Sequence, residues 1–212
     1  MSRSIFEWTF NLVVLIFATS MVAQPFIIPT GSMESTLLVG DHLIVDKLAY
    51  APASVIPLLP YAEPKHGDII VFRYPPDIRE TYIKRVIGTP GDRIRMANKQ
   101  VFRNGQPLTE PYTQHIFPNY IPARDDFPEL QVPPDNYFAL GDNRDNSSDS
   151  RVWGFVPREN IIGKPLIVYW SYNAKTEDLT DYSLHHVLDL AQHFFTRTRW
   201  SRTLQLVRSD IL

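Results

Sequence analysis

The sequence contains no cysteine. That removes disulfide staples, thiolate nucleophiles, cysteine-ligated zinc and iron–sulfur clusters, and it leaves the redox compartment open. Glycine is scarce, with nine residues against eighteen prolines, so extended segments and rigid turns are expected in place of a helical bundle. Neither charge dominates: 21 Lys and Arg against 23 Asp and Glu give a net charge of −2. No basic stripe is present, and no nucleic-acid partner is expected. Common site signatures are missing too, including G-x-S-x-G, G-x-G-x-x-G, the P-loop, H-E-x-x-H and S-x-x-K. The six histidines are scattered; His186 and His193 could share a helix face, but two imidazoles alone make a poor metal site. Asp145-x-Ser147-x-Asp149 hints at a calcium loop, yet Ser150 and Val156 stand where glycine and glutamate belong. No metal and no cofactor is expected.

What is present is an ordinary globular balance, 44% hydrophobic and 21% charged over 212 residues. That suffices for one catalytic-size domain with an appendage. The appendage is at the N-terminus. Trp8 to Met33 carries no charge and is rich in Phe, Leu, Val and Ile, while Pro25 and Pro29 would stop a helix. A membrane span over roughly Ile5–Ala23 follows. A cleaved secretory leader is the competing reading, since Ala18-Thr19-Ser20 resembles a cleavage site. The apolar run continues past that site and Glu7 spoils a basic leader start, which favours a retained single-pass anchor over residues 1–25. Arg3 and the terminal amine then place residues 26–212 on the outer side.

Beyond the anchor, hydrophobicity alternates with period two. His42–Leu48, Asp68–Tyr74, Thr81–Ile87, Tyr137–Leu140 and Leu166–Trp170 read as strands, and Asn104-Gly105 as a hairpin turn. The Pro-rich stretches 51–64 and 111–134 read as surface loops. Leu184, Val187, Leu188, Ala191, Phe194 and Phe195 recur at helical spacing, giving an amphipathic helix over 183–196. The expected fold is mainly β, an antiparallel sheet with a helix at each end. Arg197, Arg199, Trp200, Arg202 and Arg208 follow the last helix, a composition suited either to a lipid surface or to solvated charges beside a core-packed helix.

Three segments could carry chemistry. Pro29-Thr30-Gly31-Ser32-Met33 puts a serine in a tight glycine turn just after the apolar run. In Tyr82-Ile83-Lys84-Arg85-Val86-Ile87 both strand faces are otherwise apolar, so a cation lies among apolar side chains. Burial lowers a lysine pKa and can leave a neutral amine able to act as a base, unless the side chain snorkels from an edge strand. Gly141 to Arg151 is a dense polar turn, either a solvated loop or a hydrogen-bonded support.

PTGSM, GDIIVFRYP, YIKRVIGTPGD and GDNRDNSSDSRVWGFVP, in this order behind an apolar span, resemble the motifs of the bacterial type I signal peptidases (leader peptidases), which are Ser-Lys proteases. The matching segments run from Pro29 to Pro157. The resemblance implies a serine endopeptidase of the inner membrane whose substrates are exported preproteins with signal peptides. It implies Ser32 as nucleophile, Lys84 as general base, and Ser147 hydrogen-bonded to the lysine. The oxyanion hole would be the Ser32 N–H plus the Thr30 hydroxyl. Asp149, Arg151, Asp142, Arg144 and Arg85 would form a supporting ion-pair network. Phe26, Ile28, Pro29, Met33, Leu37, Tyr82 and Ile83 would line shallow pockets for small side chains. One departure stands out: Ser35 occupies a position where the family usually has proline, so a looser turn is expected. Soluble self-cleaving repressors share this chemistry but carry a DNA-binding domain. An organellar processing peptidase is nearer, yet the full Asn143–Ser147 run favours a bacterial protein. An inactive anchored scaffold and a Ser-His-Asp hydrolase are the remaining alternatives.

Overall fold

The computed structural model describes residues 3–17, 22–51, 62–180 and 183–208. Helix α1 (Arg3–Phe17) has neither glycine nor proline, and an Arg3–Glu7 pair spans its first turn. All of its residues are exposed, Trp8 at 78%. Fifteen residues rise about 22 Å, short of the about 30 Å of a bilayer's hydrocarbon. Among the described residues no helix is long and apolar enough to cross a membrane. The single helix expected over Ile5–Ala23 is therefore corrected. Ala23 already lies in a strand, paired with Asp46, and residues 18–21 fall outside the described set.

The chain continues through β1 (Ala23–Ile27), β2 (Asp41–Asp46), β3 (Ile69–Tyr74), β4 (Asp77–Gly88), β5 (Arg93–Ala97), β6 (Gln100–Arg103), β7 (Gln106–Pro107) and α2 (Pro122–Asp125). Then follow β8 (Phe127–Gln131), β9 (Asn136–Leu140), α3 (Ser150–Trp153), β10 (Val156–Pro157), β11 (Ile161–Ser171), α4 (Leu184–Arg197) and β12 (Gln205–Leu206). The larger sheet runs β1-β2-β11-β3-β4-β9-β10, with β12 also on β11; the smaller runs β7-β6-β5-β8. Its pairings are antiparallel throughout. Pro25 is tolerated in β1 because that strand forms an edge, where a missing N–H costs no ladder bond.

The period-two signal located the central strands but understated the long ones. β4 begins at Asp77 and β11 at Ile161, where polar and proline residues interrupt the alternation. The Asn104-Gly105 turn forms as expected, with φ of 52° and 80°. The stretch 111–134 is not merely loop, since α2 and β8 lie inside it; most of 51–64 falls outside the described residues. β8 carries too many polar residues to alternate and is held by pairing with β5.

Three apolar clusters fill the interior. The one that positions the site joins Ile28, Met33, Leu37, Leu43, Ile69 and Val168. Each such buried side chain contributes roughly 1.5–3 kcal/mol, so the turn carrying Ser32 is pinned by its two apolar neighbours in sequence, Met33 and Leu37. Helix α4 packs through Phe194 against Trp170, with ring centroids 5.8 Å apart, while Val187, Leu188 and Phe195 stay exposed. The expectation of a core-packed helix beside solvated arginines is not met. The apolar residues do not pack wholly inward, and three arginines are bound to protein. Arg197 pairs with Asp189, Arg202 with the buried Asp41, and Arg199 donates to the carbonyls of Val39 and Tyr172.

Candidate active site

Ser32 sits in a single 3-10 turn, Gly31–Met33, between β1 and β2. A Cβ at Gly31 would stand 2.7 Å from the carboxyl end of the Glu34 side chain, which would have to swing aside. Lys84 lies in β4 opposite Ile70 of β3. Its amine donates to Ser32 Oγ at 2.7 Å and to the Ile83 carbonyl at 3.0 Å. The side chain does not snorkel, for Lys84 is 3% exposed. Arg85, on the opposite strand face, is equally buried, because β4 is covered on both sides here. Burial pushes the Lys84 amine down to about 8; Asp149 and Asp142 oppose the shift, and Arg151 adds to it. A lysine in that range supplies a substantial neutral fraction near neutral pH, next to a hydroxyl it can deprotonate.

The turn after β9 forms the wall behind this pair. Asn143 donates its backbone N–H to the Ser32 carbonyl at 3.1 Å. Gly141 approaches so closely that a Cβ would stand 2.5 Å from that same carbonyl oxygen. The charged residues expected as one network resolve into separate pairs. Arg85 makes a two-pronged bond to Asp142, at 2.9 and 2.8 Å, which also accepts from Thr36 at 2.6 Å. Arg151 grips Asp149 at 2.8 and 2.7 Å, and Asp149 in turn accepts the Gly141 N–H. Arg144 turns away to Glu110, at 2.8 and 2.5 Å. Glu110 carried no sequence signal, being an isolated acid at the edge of a Pro-rich stretch.

Two expectations are not met. Ser147 Oγ makes no hydrogen bond, so its expected link to Lys84 is not formed; the lysine's second bond goes to Ile83. Nor is the turn at Ser35 loose. Ser35 adopts φ 89°, its hydroxyl donates to the Tyr112 carbonyl, and Thr36 and Leu37 both donate to the Met33 carbonyl, at 3.0 and 2.8 Å. A proline, fixed near φ −65°, could not take this conformation.

A cleft of about 560 Å³ opens over the pair. Phe26, Ile28, Pro29, Met33, Tyr82 and Ile83 line it as expected, and the exposed Thr30 stands at its rim beside Ser32. Leu37 does not reach it, being 1% exposed inside the core. Ile27, Glu80, Thr81, Asn146 and Ser148 line it without having been expected. No histidine does. Among the described residues β1 has no strand partner beyond β2, and β9 pairs with β4 only from Arg85 onward, so the backbone edges at Ala23–Ile27 and Thr81–Lys84 both face outward beside the cleft.

A β-rich domain with a serine hydroxyl bonded to a buried lysine amine at a cleft has the build of a serine hydrolase with a lysine in the place of a histidine base. The comparisons agree on the family. The signal peptidases of peptidase family S26 match residues 2–170. The chain is 40% identical over 173 residues to signal peptidase I of Leptolyngbya laminosa, covering 77% of this chain and 76% of that protein. It is 35% identical over 218 aligned positions to signal peptidase I of Pseudomonas aeruginosa, covering 85% and 76% respectively. A crystal structure of a signal peptidase I from Enterococcus faecalis V583 is similar at 33% identity and a TM-score of 0.44, over 49% of this chain and 97% of that one. The chain belongs to the signal peptidase family S26, and is a hydrolase of the serine type.

Proposed function

We propose that this chain is a membrane-bound endopeptidase that removes N-terminal signal peptides from exported preproteins, with Ser32 as nucleophile and Lys84 as general base. The observation that carries the proposal is the 2.7 Å contact between the Lys84 amine and Ser32 Oγ, made inside a desolvated strand. The neutral amine takes the hydroxyl proton as Oγ attacks the scissile carbonyl. The oxyanion forms beside the Ser32 N–H and the Thr30 hydroxyl, the lysine returns its proton to the leaving amine, and an acyl-enzyme remains. Water activated by the same amine then deacylates it.

The two outward backbone edges beside the cleft suit an extended peptide, which can add as a strand and present alternate side chains to it. Phe26, Ile28 and Met33 fill the floor, so small side chains, chiefly alanine, are the expected choice one and three residues before the cut. Supporting the membrane assignment, α1 exposes Phe6, Trp8, Phe10, Leu12, Val13, Val14 and Phe17 as an apolar surface. Such a surface is costly in water and at rest in lipid. The proposed arrangement is an N-terminal anchor that includes α1 held in the bacterial inner membrane, with the domain from β1 onward on its outer side.

The test is cleavage of a secretory preprotein by the purified full chain in detergent, with sequencing of the new N-terminus. Cleavage after a small residue at the signal junction supports the proposal. Equal cleavage of variants with large residues at those two positions contradicts the specificity, and no cleavage contradicts the activity.

A further inference from the structure

Asn143 is fully buried, and every hydrogen bond it donates goes to the turn that carries Ser32 or to the residue after it, while its own carbonyl accepts the Asn146 N–H within the local turn. Its backbone N–H donates to the Ser32 carbonyl at 3.1 Å. Its side-chain amide donates to the Gly31 carbonyl at 3.2 Å and to Glu34 Oε2 at 3.4 Å. Both side-chain partners are pure acceptors, which fixes the amide nitrogen on that side and leaves Oδ1 without a partner. A buried amide that spends its donors and leaves its acceptor empty is held for what the donors do.

The Gly31 carbonyl and the Ser32 N–H belong to the same peptide group. In a planar trans peptide they point in opposite directions. Holding the carbonyl against Asn143, with the Glu34 N–H as its second donor at 3.1 Å, therefore turns the Ser32 N–H the other way, toward the cleft. Without that grip only the Glu34 N–H holds the Gly31 carbonyl, and the peptide between Gly31 and Ser32 can tilt more freely, since Gly31 lacks the Cβ that would restrict it.

We infer that Asn143 is the positioning residue for the oxyanion hole: its side-chain amide anchors the Gly31 carbonyl and so aims the Ser32 N–H at the developing oxyanion. It touches neither substrate nor Lys84, and acts through one peptide plane. The inference rests on the function proposed above, because only an acyl transfer at Ser32 needs that N–H.

The experiment compares wild type, Asn143→Ala and Asn143→Asp in the full chain, alongside Ser32→Ala. Folding is checked by thermal melting, and kcat, KM and their pH dependence are measured on preprotein cleavage. The affinity of a peptide aldehyde ending in alanine, which forms a tetrahedral adduct on the serine, is measured in parallel. Losing a well-aimed oxyanion donor typically costs about 10²-fold in kcat. The expected result is a kcat loss of that order in folded Asn143→Ala, with KM within about threefold and the aldehyde weakened in proportion to kcat/KM. The pH midpoint stays in place, because the surroundings of Lys84 are untouched. Asn143→Asp, which keeps the shape but sets a carboxylate against a carbonyl and Glu34, should be at least as impaired. A folded Asn143→Ala with near wild-type kcat overturns the inference, and so does a loss that appears in KM or in a moved pH midpoint. If neither variant folds, Asn143 is a core residue and the positioning role is rejected. Activity surviving in Ser32→Ala would instead overturn the underlying function.

Discussion

The guanidinium of Arg85 and the carboxylate of Asp142 form a two-pronged pair at 2.9 and 2.8 Å, with 2% and 0% of their side chains exposed. It ties β4, one residue past Lys84, to the turn that backs Ser32. Taking away one partner strands a charge in the interior, which costs about 3–5 kcal/mol. Arg85→Met and Asp142→Ala should each lower the melting temperature sharply, and the double variant should lose much less than the two together. Additive losses in a double-mutant cycle would show that the two residues are not coupled.

Ser35 holds a left-handed backbone conformation in the turn that follows Ser32. At φ 89°, Ser35→Pro forces a backbone change and should destabilise by more than about 1 kcal/mol. Ser35→Gly relieves the left-handed conformation but forfeits the bond to Tyr112, so its stability should stay near wild type. Denaturant unfolding of both variants checks this, and a Ser35→Pro protein as stable as wild type would contradict the observed turn.

Activity should follow the Lys84 amine. With the amine held at about 8, kcat/KM should rise with pH through that value and level off above it. Asp149 raises the lysine pKa, so a folded Asp149→Asn variant should show a lower midpoint. Stability follows the same group with a definite sign. Between about 8 and the ordinary 10.5 the unfolded chain binds more protons than the folded one, so folding becomes more favourable as pH rises across that window. Below it the full cost of burying the ammonium is present. Lys84→Met should therefore raise stability at pH 7 by up to about 3 kcal/mol, and by progressively less toward pH 10, while removing activity.

Much of this was legible in the sequence, for reasons that differ by element. The strands around Lys84 announced themselves as short β-branched and aromatic runs bounded by glycine and proline, and the Ser32 turn because proline and glycine bracket it. The partners Glu110 and Asn143 act across 34 and 112 residues of sequence, a pairing that only tertiary folding creates. The N-terminal reading erred at its far end, since hydrophobicity alone does not distinguish a helix from the apolar edge strand that begins at Ala23.

The C-terminal arginines should matter for stability. Arg202 reaches Asp41 Oδ2 at 2.5 Å and the Thr36 carbonyl at 3.0 Å, clamping the segment that follows the Ser32 turn. Arg202→Leu should cost about 2 kcal/mol, less than a fully buried pair because the guanidinium is 19% exposed. Thermal melting reads the loss directly; an unchanged melting temperature would leave the clamp without energetic weight.

The proposed chemistry turns on one hydroxyl and one amine. Its most direct test is preprotein cleavage by the purified full chain, with Ser32→Ala and Lys84→Ala beside wild type and melting curves for all three. The prediction is that both variants stay folded and fall below about a thousandth of wild-type turnover. Turnover well above that level in either folded variant would contradict the assignment of Ser32 as nucleophile and Lys84 as base.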